Sequence, residues 1–158
     1  MPISSSEFKE SLSLWASGVA IVTYRSKSGS GGLTVSSFSS LSLDPPLVLF
    51  CLAKSSSAKP YLEEAQAFGI NVLGEEGMDV SNKFASSKNK EEVLGHYEIP
   101  GSPSPQLSSS LVFLHCSLDK IFEAGDHWIV VGQVESRVQG KTGNPLLYFD
   151  KSYRKISS

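Results

Sequence analysis

Apolar residues recur along this chain mostly at the two-residue spacing of strands, and helical spacing is confined to short stretches. The first helical stretch is Ser4 to Trp15: Phe8, Leu12 and Trp15 recur at helical spacing, Ser4 and Glu7 match a capping box, and Gly18 marks the end. The β-branched run Val19 to Tyr24 predicts a strand, Arg25 to Gly32 a hairpin loop, and Leu33 to Phe38 a second strand. Asp44-Pro45-Pro46 breaks the chain before the apolar strand Leu47 to Ala53. Next comes a short helix with Pro60 in its first turn and Tyr61 to Gln66 as its body. Phe68 to Leu73 returns to strand, and Met78 to Ala85 to helix. Ser86 to Ser110 carries Gly95, Pro100, Pro103 and Pro105 and reads as a long irregular excursion over the surface. Three strands close the chain: Leu111 to Glu123, Trp128 to Val138, and Leu146 to Phe149.

About seven strands with two or three short helices on the connections describe a mainly β fold, an antiparallel barrel with peripheral helices. The strands do not alternate with long helices, which argues against a doubly wound parallel sheet. No internal repeat divides the chain, so residues 1–158 read as a single domain. Composition changes the picture only by exclusion. With 40% hydrophobic and 19% charged residues the chain is globular and not disordered. A net charge of -2 with scattered basic residues argues against nucleic acid as a partner. The longest apolar runs are too short to cross a bilayer, and residues 1–10 lack an apolar signal core; no membrane association and a cytoplasmic location are expected. Cys51 and Cys116 lie in apolar runs without a CxxC motif and read as buried free thiols, and no metal site is expected.

Candidate chemistry concentrates between Gly31 and Ala58. Thr34, Ser36, Ser37, Ser39, Ser40 and Ser42 crowd short donors and acceptors onto one strand pair, a lining suited to a flat ring with a phosphate tail. Ser55, Ser56 and Ser57 stand at the head of the second helix. They form either an anion site, with Lys54 or Lys59 adding charge, or a plain helix cap supplied by Ser57. Gly29, Gly31 and Gly32 do not make a phosphate loop, because a strand and not a helix follows them. The lack of a GxSxG elbow argues against serine hydrolase chemistry. His96 and His115 read as structural. His127, delivered by the turn Gly125-Asp126 onto the start of a strong strand, is either functional or a turn residue paired with Asp126. Lys83 beside Phe84 is, by pattern alone, an ordinary amphipathic helix end.

Taken in order, these pieces resemble the flavin reductase-like family, the short-chain NAD(P)H:flavin oxidoreductases of two-component monooxygenases. The resemblance rests on Gly18 to Thr23, Gly32 to Phe38 with Ser40 to Ser42 and Pro45 to Leu47, Phe68 to Leu73, Ser81 to Ala85, Gly125 to His127, Pro145 to Tyr148, and Tyr153-Arg154. It covers nearly everything from Phe8 to Arg154. It implies a split β-barrel of the antiparallel, Greek-key, FMN-binding type that binds FMN or FAD and forms a homodimer with the flavin near the subunit interface. It also implies NADH or NADPH as hydride donor and an oxygenase partner. Carried onto matching positions, Thr34, Val35, Ser36 and Ser37 contact the ring and ribityl chain. Cys51, Leu52, Ser55 and Ser57 line the rest, with the serines on the phosphate, and Lys83 and Phe84 close over the phosphate side. His127 sits by the nicotinamide, catalytic in the sense of positioning it, with Tyr153 as a neighbour on the substrate side. Ser36 and Lys83 stand where the family often has Asn and Arg. Two rival readings remain: a non-enzymatic flavin-binding electron carrier on the same barrel, and a flavin-free interaction module.

Overall fold

A computed structural model describes residues 1–157. In chain order the elements are α1 (Ser5–Ser13), β1 (Ser17–Gly18), β2 (Ala20–Arg25), β3 (Ser30–Val35), β4 (Ser39–Ser42), β5 (Leu47–Ala53), α2 (Lys59–Ala65) and β6 (Ala67–Leu73). A 3₁₀ turn (Glu75–Gly77) leads into α3 (Met78–Ser86), α4 (Lys90–Tyr97), β7 (Glu98–Ile99) and β8 (Gln106–Leu107). The long strands β9 (Ser110–Ala124) and β10 (His127–Gln139) follow, and β11 (Leu147–Phe149) and β12 (Ser152–Arg154) end the chain. Seven strands form one antiparallel sheet in the order β3-β2-β6-β9-β10-β5-β4. A smaller antiparallel sheet, β1-β11-β12, and the β7–β8 pair complete a mainly β architecture with short helices.

The two edges of the large sheet, β3 and β4, are consecutive in the chain and joined only by residues 36–38. Four Cα steps reach at most about 14 Å. The sheet therefore curls until its first and last strands come within that distance, although the two are not paired with each other. This open seam is the feature that builds the site.

β2 explains how the curl is held. Its consecutive β-branched residues are buried on both faces, which period-two amphipathicity would not require. Ala20, Val22 and Tyr24 join Phe50, Leu52, Phe68, Ile70 and Val130 inside the curl. There Phe50 and Phe68 meet edge to face with ring centroids 5.3 Å apart. Val19 and Ile21 face outward into a second cluster with Val80 and Phe84 of α3 and Val93 and Leu94 of α4. Two glycines let those helices lie close on β3. A side chain at Gly31 would stand 2.8 Å from the Lys90 Cβ, and one at Gly32 would stand 2.9 Å from the Phe84 ring.

The strand and helix positions follow the hydrophobic pattern closely, and the capping box of α1 is formed, with Glu7 N donating to Ser4 Oγ at 3.2 Å. β3 starts and ends three residues earlier than expected, so Gly31 and Gly32 lie in the strand and 36–38 outside it, and three further features differ. The segment 86–110 is not an irregular excursion: it carries α4 and the β7–β8 pair. Asn89 caps α4 by accepting from Glu92 N at 3.1 Å, an Asn-x-x-Glu signal masked by Gly95 and by a weak apolar stripe. Ser57 is not the cap of α2. The cap position is Ala58 and has no side-chain bond of its own, while Ser56 Oγ accepts from Ala58 N at 3.2 Å. Finally, Ser39–Ser42 and Ser152–Arg154 are strands, formed by pairing with β5 and β11 and not by any apolar alternation of their own.

Candidate functional site

Where β3 leaves the sheet edge, residues 33–37 line a cavity of about 480 Å³. β5 contributes Cys51, Leu52 and Ala53, and its following turn contributes Ser56. α3 adds Phe84 and Ala85, α4 adds Lys90, and β10 adds His127. As an edge strand, β3 leaves alternate backbone N–H and C=O groups without a strand partner along this wall. The cavity thus combines a polar backbone ledge, apolar walls and a cation.

The hydroxyls on this ledge are less free than their number suggests. Ser37 Oγ donates to Cys51 O at 3.2 Å and accepts from Cys51 N at 3.0 Å, standing in for a strand neighbour beside β5. Thr34 Oγ1 donates to Ser81 O of α3 at 2.7 Å. Ser81, fully buried, also shares a 2.7 Å hydrogen bond with the Tyr153 hydroxyl. Among the described residues Ser36 is the one hydroxyl of the three with no protein partner, and its side chain is exposed. Thr34 and Ser37 shape the ledge, and the backbone and Ser36 offer the hydrogen bonds.

His127 follows a two-residue turn in which Gly125 takes φ +58, the positive φ that such hairpin turns need at their first position. Lys54 N donates to Asp126 O at 2.9 Å and ties the turn to the end of β5. The His127 ring meets Asp126 Oδ1 through Nδ1 at 2.7 Å. That hydrogen bond holds the Asp126 carboxyl below the usual carboxylate range. An ionised carboxylate only accepts, so Nδ1 carries the proton and Nε2 is the ring nitrogen left without a protein partner among the described residues. The pair is exposed and holds no nucleophile, so it suits orientation of a bound molecule better than proton transfer.

Thr34, Val35, Ser36, Ser37, Cys51, Leu52, Phe84 and His127 thus come together around one cavity. Ser55, Ser57, Lys83 and Tyr153 do not line it. Tyr153 borders an adjoining pocket of about 200 Å³ that shares Thr34, Val35, Ser36 and Ala85. Lys83 turns outward to Tyr97 Oη at 3.0 Å and Asp79 at 3.3 Å, and these partners hold its ammonium above the usual lysine range. Successive helix positions diverge by about 100°, so Lys83 and Phe84 face different surroundings. Of the lining residues, Leu33, Ala53, Ala85 and Lys90 were not among the sequence candidates, and Ser56 was named only as one of the three serines heading α2. Ser56 occupies the turn position assigned to its neighbours, and Lys90 sits in the segment read as irregular. Both cysteines are free; Cys51 is half-buried on the cavity wall, whereas burial pushes the Cys116 thiol up to about 12.

The donor set fits a flavin mononucleotide or dinucleotide: a narrow ledge of backbone polar groups for the ring edge, with Ser56 and Lys90 on the same cavity for a phosphate. Comparison with known proteins agrees with this class. The chain matches the flavin reductase like domain over residues 12–157, and it belongs to that family. It is 38% identical over 149 residues to the reductase component of 4-hydroxyphenylacetate 3-monooxygenase from Thermus thermophilus, covering 94% of this chain and 95% of that one. It is 36% identical over 153 residues to the FMN reductase (NADH) SmoA of Agrobacterium fabrum, covering 97% and 87% respectively. Among solved structures, the NADH:FAD oxidoreductase SgcE6 of Streptomyces globisporus C-1027, in complex with NAD and FAD fragments, superposes with a TM-score of 0.88 at 25% identity. That match covers 96% of this chain and 92% of the other.

Proposed function

We propose that this protein is an NAD(P)H:flavin oxidoreductase that reduces FMN or FAD and supplies the reduced flavin to a partner monooxygenase. The observation that carries this reading is the cavity at the seam, where the β3 ledge, Phe84, Lys90 and His127 converge without a catalytic dyad. A site of this kind binds and aligns, and the cofactors carry the reaction. When bound, the flavin supplies a ring that accepts hydride from a nicotinamide. The chain's own residues have positioning roles. The backbone from Thr34 to Ser37 holds the ring edge, Cys51 and Leu52 wall the cavity, and His127 orients the nicotinamide through Nε2. Ser81 keeps Thr34 in place from behind. The relatives' names favour NADH as donor and divide between FMN and FAD.

The same reading takes residues 1–158 as one domain with a cytoplasmic location, the curled sheet as a split barrel, and the active form as a homodimer. The apolar side of α1 supports the last point. None of its residues is buried, and Phe8, Leu12 and Trp15 border a groove of about 790 Å³ that includes Ser36 and Ser37 of the cavity ledge. A second copy seated there would wall the flavin cavity. The deciding experiment follows NADH oxidation while free flavin is added to purified protein. We expect oxidation to rise with added FMN or FAD. A preparation that retains yellow flavin tightly yet oxidises NADH no faster when flavin is added would instead be an electron carrier.

A further inference from the structure

Ser81 is a hydroxyl where the packing of α3 asks for an apolar side chain. It shares the buried stripe of that helix with Val80 and Phe84 and is itself fully buried. A buried hydroxyl left unpaired is costly, and serine in mid-helix competes for the helix's own hydrogen bonds. Both polar ends of this residue are engaged, and one of them leads to the site. Its carbonyl accepts from Thr34 Oγ1 at 2.7 Å, and its Oγ shares a 2.7 Å hydrogen bond with the Tyr153 hydroxyl. Thr34 pairs with Ile21 near the end of β3, and beyond Val35 that pairing stops. Among the described residues, the ledge from Thr34 to Ser37 has two side-chain ties to the rest of the chain: Thr34 to Ser81 and Ser37 to Cys51.

Tyr153 reaches Ser81 from the hairpin of β11 and β12. Its turn residues Asp150 and Lys151 take φ +49 and +62, the positive values that a two-residue hairpin turn needs. The resulting register sets Tyr153 opposite Tyr148, with the two rings edge to face and their centroids 5.5 Å apart. Tyr153 is partly buried against the cluster formed with α3 and α4, and it borders the smaller pocket beside Thr34. A short strand remote in sequence thus aims one hydroxyl at the residue that holds the ledge.

We propose that Tyr153 is a positioning residue for the flavin ring: through Ser81 and Thr34 it fixes the β3 ledge that holds the ring edge, without touching either cofactor. The assignment rests on reading the cavity as the flavin site. It differs from the place beside the nicotinamide that the family resemblance implies, because the Tyr153 hydroxyl is engaged by Ser81 and the residue does not line the main cavity. Hydride transfer depends on the alignment of two rings, and a small displacement of either slows it. A ledge loosened at Thr34 holds the flavin less tightly and lets it leave that alignment.

The test compares wild type, Tyr153→Phe, Ser81→Ala, the double variant and Thr34→Val, with FMN as the probe. Three quantities are read: the FMN dissociation constant from fluorescence titration, kcat and KM for NADH oxidation, and the thermal unfolding midpoint. Tyr153→Phe should weaken FMN binding and lower kcat by about fivefold each, the worth of one neutral hydrogen bond, with KM for NADH within about twofold. Ser81→Ala and Thr34→Val should show the same split. Each single change at Tyr153 or Ser81 leaves one hydroxyl of the pair without its partner, whereas the double variant removes both. Its unfolding midpoint should therefore recover toward wild type, while its FMN binding stays as weak as in Tyr153→Phe and no weaker. Four results would overturn the assignment: unchanged FMN binding in Tyr153→Phe, losses that multiply in the double variant, FMN binding that recovers together with stability, or a rise in KM for NADH that Ser81→Ala does not share. Wild-type protein that binds FMN but does not reduce it would overturn the reductase reading alone, and the FMN dissociation constants would still judge Tyr153.

Discussion

His127 owes its position to one dihedral angle two residues upstream. Gly125 at φ +58 lets β9 reverse into β10 within two residues, so His127 opens the strand opposite Ala53 and borders the cavity. With Nδ1 held by Asp126, the free Nε2 is the group available to a nicotinamide amide. His127→Ala should raise KM for NADH about tenfold, the worth of one good hydrogen bond, while flavin affinity stays within about twofold. Steady-state kinetics with NADH and FMN varied separately would show it, and an unmoved KM for NADH would remove His127 from the site. At this scale the sequence was partly legible. The turn Gly125-Asp126-His127 is visible as a motif because turn chemistry is local. The roles of the hydroxyls are not. Whether Ser37 and Thr34 are free to meet a ligand depends on Cys51 and Ser81, 14 and 47 residues away along the chain.

Among the elements, β6 depends most on a single polar side chain. Asn71 is fully buried and stitches three segments together. Its Oδ1 accepts from Leu107 N of β8 at 2.8 Å and Ser110 Oγ of β9 at 3.0 Å, and its Nδ2 donates to Ile21 O and Thr23 Oγ1 of β2. Asn71→Ala strands these partners without water and should cost about 3 kcal/mol of stability. Chemical denaturation measures this, and a loss under about 1 kcal/mol would show that the network is dispensable. Strands such as β5 and β10 could be read from apolar composition because they are packed against the core. β4, β12 and α4 could not. Each is held mainly by partners outside itself, so its own residues carry little periodic signal. The capping pair Asn89 and Glu92 was the one local sign of α4.

For the molecule as a whole, an exposed apolar helix face is the least economical feature. Phe8 and Leu12 of α1, Leu14 and Trp15 just after it, and Leu43 are each more than half exposed, and Leu41 is half exposed. Phe8, Leu12 and Trp15 border one groove, and exposed apolar surface of that kind marks a site of contact with a protein, a membrane or a ligand. If a second copy covers it, the protein sediments as a dimer, and Phe8→Glu with Trp15→Glu shifts it toward monomer and weakens flavin binding together. Wild type that remains monomeric at micromolar concentration would refute the dimer. No helix of the described residues is long and apolar enough to cross a membrane.

The amino-acid sequence alone decided the β-rich class, the positions of the long strands and the family, because these rest on local periodicity and on ordered short motifs. It also marked the stretch around Thr34 to Ser37 as the chemically active one. Tertiary structure decided which groups there are usable. Curling the sheet brings β3, β5 and β10 to one cavity, and two of the three hydroxyls are consumed in contacts with α3 and β5. It also turns Lys83 to the surface and brings Lys90 to the cavity wall. The difference is physical: a strand's existence is written in neighbouring residues, whereas the availability of a donor or a charge depends on what distant segments do with it.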